Sequence, residues 1–266
     1  MDTSILKKCK LFLFDMDGTL YLGDRLYSFT KELLKMINQR GGKYLFVTNN
    51  SSKSVIDYVK KLEKLGIKAS EEDFMTSSQA TSLYLLENHK NDNLYVCGTK
   101  SLVEELKKNN LKVTEDPNKA DCIVMGFDTE LTFKKLEDIS WLLCTKPDIP
   151  YIATNPDYVC PTEFGSVPDC GSVCNMLYNV AKRRPFVIGK PNATMPLLAM
   201  KKYNALPEQT LVVGDRIYTD IKSGLNAKCL TLLVMSGETD EKILAESDDK
   251  PDFVFGSGED LLNILK

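Results

Sequence analysis

The feature that most constrains the fold of this chain is an apolar run that ends at two closely spaced carboxylates. Residues 11–14 are Leu-Phe-Leu-Phe, and Asp15-Met16-Asp17-Gly18 follows directly. A short apolar run that stops at an Asp-Gly turn predicts a buried strand with both carboxylates at its carboxyl end. Open α/β sheets bind ligands at that edge. Two like charges this close favour a cation or a shared proton between them, although an ordinary turn after a strand fits the same residues.

Strand-like and helix-like segments alternate along the chain in three series. The first series predicts strands at 11–14, 44–47 and 74–75 and helices at 31–39, 54–65 and 78–87. The second predicts strands at 94–97, 123–126 and 151–154 and helices at 102–108, 133–144 and 172–182. The third predicts strands at 186–188, 211–213, 230–234 and 253–255 and helices at 194–203, 218–226 and 259–265. This alternation predicts an α/β fold with parallel sheets and helices on their faces.

Composition excludes several classes of protein. The chain has 266 residues, of which 43% are hydrophobic and 27% charged, enough for a sizeable core. Its net charge of −3 gives no sign of nucleic-acid binding. The sequence contains no run of 18 apolar residues, so no membrane span is predicted. The first residues lack the apolar region of a signal peptide. We therefore expect a cytoplasmic protein with no nucleic-acid or membrane partner.

Histidine and cysteine contribute little to the predicted chemistry. His89 is the single histidine, in a polar segment after a predicted helix, which argues against a Ser-His-Asp mechanism. The eight cysteines are scattered and form no Cys-x-x-Cys pair. Cys170 and Cys174 are four residues apart, a weak metal signal, so reduced and mostly buried thiols are expected. The chemistry must therefore come from carboxylates, lysine and hydroxyls.

Polar residues follow four of the predicted strands. The four groups are Asp15 with Asp17, Thr48 with Asn49 and Asn50, Lys190, and Asp215 with Asp220. Because parallel strands end at one edge of a sheet, residues far apart in sequence can share one pocket. Each group alone also fits a turn, a helix cap or a surface lysine. The four together favour one functional site.

The residue types suit phosphoryl transfer. A carboxylate such as Asp15 can act as nucleophile and form an aspartyl-phosphate without a base to activate it. Carboxylate oxygens suit Mg²⁺, for which Asp15 and Asp215 are the natural pair. The fixed charge of Lys190 can stabilise developing negative charge, and Asp17 is then available for general acid–base catalysis. Thr48 and the peptide groups beside it can hold phosphoryl oxygens.

These motifs resemble those of the haloacid dehalogenase-like hydrolase superfamily. Residues 15–20 are similar to its first motif, Thr48 to the second, Lys190 to the third, and residues 214–220 to the fourth. Residues 20–23, 46–51, 153–157 and 189–191 carry a narrower resemblance to the NagD-like, or p-nitrophenyl phosphatase, branch. The resemblance implies a Rossmann-like parallel-sheet core formed by residues 1–78 and 184–266. It also implies an α/β cap domain inserted at 79–183 that determines substrate specificity, with a homodimer through this cap as a family-level possibility.

The resemblance also implies roles for individual residues. Asp15 is expected to be the nucleophile and a Mg²⁺ ligand, and Asp17 the acid–base residue whose backbone carbonyl also binds the ion. Asp215 would be a further ligand, and Asp220 would support the metal site through hydrogen bonds or water. Phosphate or substrate contacts are expected from Thr48, Asn49, Asn50 and Lys190. Asn155 and Asp157 are expected in a cap loop that contacts substrate, although an ordinary Asn-Pro-Asp turn fits them equally; residues 162–170 are a further candidate loop.

The expected activity is therefore a Mg²⁺-dependent phosphatase. Its substrates would be small phosphorylated metabolites such as a sugar phosphate or a nucleotide monophosphate, with p-nitrophenyl phosphate as an artificial substrate. The reaction would proceed through an aspartyl-phosphate. Two alternatives stay open: a phosphotransferase with an acceptor other than water, and a non-catalytic sensor of a phosphorylated ligand. Asp17 argues against the sensor, because storing a phosphoryl group requires no acid–base residue.

Overall fold

A computed structural model describes residues 2–52 and 54–266 of the chain. In chain order, its strands and helices are β1 (Leu11–Phe14), β2 (Tyr21–Leu22), β3 (Arg25–Leu26), α1 (Thr30–Gln39), β4 (Lys43–Thr48), α2 (Val55–Lys64), β5 (Phe74–Thr76), α3 (Ser77–Asn88), β6 (Asn93–Cys97), α4 (Lys100–Lys108), β7 (Lys112–Thr114), β8 (Cys122–Met125), α5 (Phe133–Thr145), β9 (Tyr151–Ala153), β10 (Val159–Thr162), β11 (Gly165–Pro168), α6 (Cys170–Ala181), β12 (Phe186–Val187), α7 (Thr194–Tyr203), β13 (Thr210–Gly214), α8 (Lys222–Asn226), β14 (Leu230–Val234), α9 (Glu241–Glu246), β15 (Phe253–Phe255) and α10 (Gly258–Leu265). The chain divides into two units, residues 1–48, 55–75 and 190–266 in the first and residues 49–54 and 76–189 in the second.

The first unit is built on a six-stranded sheet in the order β15-β14-β13-β1-β4-β5. The strand β1 lies at its centre and pairs in parallel with both β13 and β4. All four residues of β1 are buried, as expected for a strand covered on both faces. Aromatic side chains fill the space around it, with the rings of Phe46 and Phe74 5.2 Å apart. This packing fixes the carboxyl end of β1, where the polar groups of the sequence begin.

The second unit has a parallel sheet of its own, in the order β12-β9-β8-β6-β7. Helices α5 and α6 contribute Ile139, Leu142 and Leu177 to its buried core. A separate antiparallel hairpin pairs β10 with β11. The α/β class with parallel sheets that the sequence predicts is thus confirmed.

Several local features differ from the sequence predictions. The predicted strand at 186–188 pairs with β9 of the second unit, although its place in the third series assigned it with strands of the first. The predicted helix at 218–226 is a π-helical turn, Ile217–Ile221, that continues into α8. The two hairpins, β2–β3 and β10–β11, and the short elements β7 and α9 were not predicted. Each contains few residues, so no hydrophobic period develops.

Across residues 2–52 and 54–266, no helix combines the length and the apolar character needed to cross a bilayer.

Candidate active site

Asp15 stands at the carboxyl end of β1. Its peptide N–H donates to the carbonyl of Val213 at 2.8 Å, so the parallel ladder continues through this residue and fixes its backbone. Its side chain is 18% exposed, and its Oδ1 lies 2.7 Å from the Nζ of Lys190. One carboxylate oxygen is therefore held by a cation, and the group as a whole keeps access to solvent.

Lys190 is the cation at the centre of the site, and its side chain is only 6% exposed. Its Nζ donates to Oδ1 of Asp15 at 2.7 Å, to Oδ1 of Asp220 at 2.6 Å and to the carbonyl of Val47 at 3.3 Å. Burial disfavours the ammonium, but Asp15 and Asp220 outweigh this effect and raise the pKa of Lys190 above its ordinary value. Lys190 is a permanent positive charge, fixed in position by three acceptors.

Asp15, Asp215 and Asp220 form a group of carboxylates that we call the acidic cluster. One oxygen from each lies within 4.8 Å of the others. Burial and the charges of Asp220 and Asp215 raise the pKa of Asp15 to about 7, against the opposing effect of Lys190. Burial and the charge of Asp220 raise the pKa of Asp215 to about 6, against the opposing hydrogen bond from the Glu238 peptide. The cluster thus carries more negative charge than Lys190 alone neutralises.

The donor set of the acidic cluster fits a divalent metal ion. Carboxylate oxygens are the ligands that hard cations such as Mg²⁺ prefer, and a cation would relieve the surplus negative charge. The backbone packs tightly around the Asp215 carboxylate: a Cβ added at Gly18 or Gly237 would lie 2.4 Å or 2.0 Å from its Oδ2. Glycine at these two positions therefore leaves room for the carboxylate in this orientation. The acidic cluster therefore has the donors to hold a divalent metal ion.

Asp17 is the third residue after the end of β1 and lies outside the acidic cluster. Its side chain is 55% exposed, with Oδ2 4.0 Å from the Nζ of Lys61. Its Oδ1 accepts a hydrogen bond from the peptide N–H of Gly23 at 3.3 Å. The carboxyl group is therefore exposed to solvent beside the β2–β3 hairpin.

Thr48 is the last residue of β4, the strand beside β1. The pairing of Phe14 with Phe46 places Thr48 at the same edge of the sheet as Asp15. The structure thus brings together in the first unit the predicted residues Asp15, Asp17, Thr48, Lys190, Asp215 and Asp220.

A loop that the sequence analysis missed supports this edge of the sheet. After β14, the hydroxyl of Ser236 donates to the carbonyl of Gly18 at 2.7 Å, and the peptide N–H of Glu238 donates to Oδ2 of Asp215 at 2.7 Å. The phenol of Tyr27 donates to the carbonyl of Ser236 at 2.8 Å. Ser236-Gly237 follows a predicted strand, so the rule that located the other groups could have found it.

The remaining predicted residues lie in the second unit, where Asn49, Asn155 and Asp157 belong to a set of hydrogen-bonded side chains that we call the amide network. Its members are Asn49, Ser51, Thr154, Asn155, Asp157 and Asp169. Asn155 is fully buried at its centre. The Asn155 Nδ2 donates to Asp157 Oδ2 and Asp169 Oδ1, both at 3.0 Å. Its Oδ1 accepts from the hydroxyls of Thr154 at 2.8 Å and Ser51 at 3.5 Å.

Asn49 and Asp157 lie at the more accessible side of the amide network. The Nδ2 of Asn49 donates to Oδ2 of Asp157 at 2.9 Å, and both residues are half-buried. Neighbouring Asn50 accepts hydrogen bonds from the peptide and hydroxyl of Ser52 through its Oδ1, at 2.9 and 3.0 Å. The network therefore links the segment after β4 to the loop after β9.

Comparisons with known proteins agree with this geometry. A family model described as haloacid dehalogenase-like hydrolase matches residues 12–112, and a second, HAD-hydrolase-like, matches residues 187–261. The 5′-nucleotidase YutF of Bacillus subtilis is 34% identical over 246 residues, which are 92% of this chain and 94% of that protein. Phosphoglycolate phosphatase 1A of Arabidopsis thaliana, a chloroplastic protein, is 32% identical over 97% of this chain and 78% of its own length.

A solved structure is similar over almost the whole chain. The 4-nitrophenylphosphatase of Thermotoga maritima superimposes with a TM-score of 0.91 at 35% identity, and the match covers 98% of this chain and 99% of that one. The chain belongs to the haloacid dehalogenase-like hydrolases. Within that family it groups with the NagD and p-nitrophenyl phosphatase proteins, and it is a phosphoric monoester hydrolase.

Proposed function

We propose that this phosphatase is Mg²⁺-dependent, acts on small phosphorylated metabolites and uses Asp15 as its nucleophile. The observation that carries the proposal is the position of Lys190, 2.7 Å from Asp15 and 2.6 Å from Asp220. The lysine holds one oxygen of Asp15, and the acidic cluster keeps a surplus of negative charge for a metal ion. A carboxylate, a fixed cation and a metal-binding cluster at one sheet edge are the components that phosphoryl transfer requires.

The proposed reaction has two steps. In the first, Asp15 Oδ attacks phosphorus, the P–O bond to the leaving group breaks, and Asp17 donates a proton to the departing oxygen. In the second, Asp17 takes a proton from water, the water oxygen attacks phosphorus, and the Asp15 carboxylate is released with inorganic phosphate. Lys190 would stabilise the phosphoryl oxygens throughout. Thr48, Asn49 and Asn50 would bind phosphate through hydroxyl, amide or peptide groups.

The proposed metal ligands are Asp15, the backbone carbonyl of Asp17, and Asp215. When bound, Mg²⁺ would supply positive charge that lets an anionic nucleophile approach an anionic phosphate. Asp220 would support the metal site indirectly, because Lys190 holds its Oδ1. Its Oδ2 accepts a hydrogen bond from the peptide N–H of Arg216 at 3.1 Å. This arrangement supports the proposed role of Asp220 as a support for the site, with Asp15 and Asp215 as the proposed direct ligands.

We propose that the domain inserted at residues 79–183 contributes to substrate selection. The second unit has its own sheet and its own buried core, as a separate specificity domain would. Asn155 is fully buried with its amide atoms engaged, so its contribution to substrate binding would pass through Asp157, which is half-buried.

The substrate class is inferred from the relatives. Their names refer to a nucleotide, phosphoglycolate and 4-nitrophenyl phosphate, which share a phosphate monoester on a small organic group. Small monoesters are therefore the proposed substrates.

The test is phosphate release from p-nitrophenyl phosphate and a panel of metabolite monoesters, with Mg²⁺ or with EDTA. We expect release with Mg²⁺ and its loss in EDTA. Equal rates in the two buffers would remove the metal from the proposal, and no release from any monoester by folded protein would overturn it. An alcohol acceptor added to the same assay distinguishes hydrolysis from transfer, because transfer forms a new phosphate ester.

A further inference from the structure

Lys61 on α2 is a cation beside the site that the proposed chemistry does not use. Its Nζ lies 4.0 Å from Oδ2 of Asp17 and 4.3 Å from the centre of the Tyr21 ring. Its side chain is 33% exposed. Among the described residues, no hydrogen bond joins this ammonium to the protein, and 4.0 Å is beyond hydrogen-bonding distance from Asp17. Its N–H donors are therefore available to a group that binds beside Asp17.

Tyr21 gives this ammonium a defined position. The tyrosine is 2% exposed, on β2, and its backbone forms an isolated β-bridge with that of Asp17, so the buried ring lies near that residue. A cation over an aromatic face is attracted by the negative electrostatic potential of the ring. Since Lys61, Tyr21 and Asp17 all belong to the first unit, this arrangement is part of the unit that carries the acidic cluster.

The position of Lys61 determines which part of a substrate it can meet. In the proposed reaction, Asp17 donates its proton to the oxygen that links phosphate to the leaving group, at about 2.8 Å. The Lys61 ammonium then lies within about 7 Å of that oxygen. In an ester of a 2-hydroxy acid, a carboxylate oxygen is about 3.5 Å from the linking oxygen by standard bond lengths, so a hydrogen bond to Lys61 spans the remaining distance.

We propose that Lys61 is a specificity residue that selects phosphate monoesters of small hydroxy acids by binding the carboxylate of the leaving group. This inference rests on the proposed function, because Asp17 locates the leaving group. A hydrogen bond between an ammonium and a carboxylate is charge-assisted and stronger than one between neutral groups. A leaving group with a hydroxyl in place of the carboxylate would gain much less from the same lysine.

The experiment compares two substrates of similar size in wild type and three variants. The substrates are 2-phosphoglycolate, which has the carboxylate, and 2-hydroxyethyl phosphate, which has a neutral hydroxyl. The variants are Lys61→Gln, Lys61→Arg and the matched control Lys60→Gln on the exposed neighbouring residue. The quantity measured is the ratio of kcat/KM for the charged substrate to that for the neutral one, with kcat and KM resolved separately.

The wild type is expected to prefer 2-phosphoglycolate, and Lys61→Gln to lower the ratio about tenfold, mainly through a higher KM. Lys61→Arg should keep most of the preference, and Lys60→Gln should leave the ratio unchanged. An equal loss on both substrates in Lys61→Gln, or no preference in the wild type, would overturn the role of Lys61 and leave the proposed function standing. Failure of the proposed function is distinguishable, because p-nitrophenyl phosphate would then also not be hydrolysed.

Discussion

The acidic cluster and the amide network are both polar and largely buried, but they satisfy their groups in different ways. In the amide network each buried donor of Asn155 meets an acceptor, and its members are mostly neutral. In the acidic cluster, Asp15 and Asp220 share the ammonium of Lys190, and the pKa values of Asp15 and Asp215 are raised. Complete hydrogen bonding stabilises a fold. Surplus like charge destabilises a fold unless a ligand neutralises the charge, and groups with such perturbed pKa values cluster at functional sites.

The largest expected effect is that of Asp15→Asn on turnover. Loss of the nucleophile should lower kcat by about 10⁴-fold or more. The fold should persist, because the substitution removes one of several like charges and leaves Lys190 paired with Asp220. Phosphate release and thermal unfolding of the same sample measure both effects, with Asp148→Asn, an exposed residue of the second unit, as the matched control. Substantial residual activity in Asp15→Asn would remove its role as nucleophile.

The next effect concerns Asp17→Asn. Without an acid–base residue, both the departure of the leaving group and the attack of water should slow, by about 10³-fold. The backbone carbonyl is unchanged, so metal binding should persist, and stabilisation by Mg²⁺ reports on it. Asp24→Asn, at an exposed carboxylate in the turn of the neighbouring β2–β3 hairpin, is the control. Turnover close to that of the wild type would show that another group moves the proton.

Asn155→Ala should have the opposite profile, with its main effect on stability. The substitution leaves buried partners without hydrogen bonds, and we expect a loss of about 3 kcal/mol in the free energy of unfolding. Urea denaturation measures this loss, and Asn91→Ala on the surface of the same unit should change stability by less than about 0.5 kcal/mol. An Asn155→Ala variant that is as stable as the wild type but inactive would contradict this account. It would show that Asn155 serves activity and not the stability of the fold.

The smallest expected effect is the pH dependence of stabilisation by metal. The pKa of Asp15 is raised to about 7 and that of Asp215 to about 6, whereas an unfolded aspartate ionises near pH 4. In EDTA the folded protein therefore keeps protons that the unfolded chain has lost, and these groups lower its stability as the pH rises from about 4 to about 7. Mg²⁺ binds the ionised forms, so its stabilising effect should grow over the same window.

Thermal unfolding at pH 5 and pH 8, each with Mg²⁺ or EDTA, measures this dependence. Mg²⁺ should raise the melting temperature by several degrees at pH 8 and hardly at all at pH 5. Asp215→Asn should lose the metal effect and, in EDTA at pH 8, unfold at a higher temperature than the wild type. A shift from Mg²⁺ that is the same at both pH values would show that the ion does not bind the titrating carboxylates.

Much of the fold could be predicted because its elements have strong local patterns. A continuous apolar run identifies β1, and an amphipathic face identifies α1. Strands and helices alternate regularly in the third series. The sheet to which β12 belongs could not be predicted, because two residues carry no information about their pairing partner. The β10–β11 hairpin is largely exposed and therefore lacks an alternating pattern.

The candidate site was predictable in its residue types but not in its pairings. The rule that polar groups follow the strands of one sheet located Asp15 and Asp215, whereas the strand before Lys190, β12, belongs to the other sheet. The contact of Lys190 with Asp220 depends on how β13 and the turn after it pack, and local sequence does not encode that distance. The same limit applies to Asn49: it follows β4 in sequence, but its side chain bonds to Asp157, more than a hundred residues later.

The central claim is that Asp15 carries the phosphoryl group during turnover. The most direct measurement uses Asp17→Asn, in which release of that group should be slow, mixed with p-nitrophenyl phosphate and Mg²⁺ and then quenched in acid. Borohydride reduction converts an aspartyl-phosphate to homoserine, which peptide mass spectrometry locates in the chain. The account predicts homoserine at position 15 and its absence when EDTA replaces Mg²⁺. Homoserine at another aspartate, or none at any position while nitrophenol is still released, would contradict it.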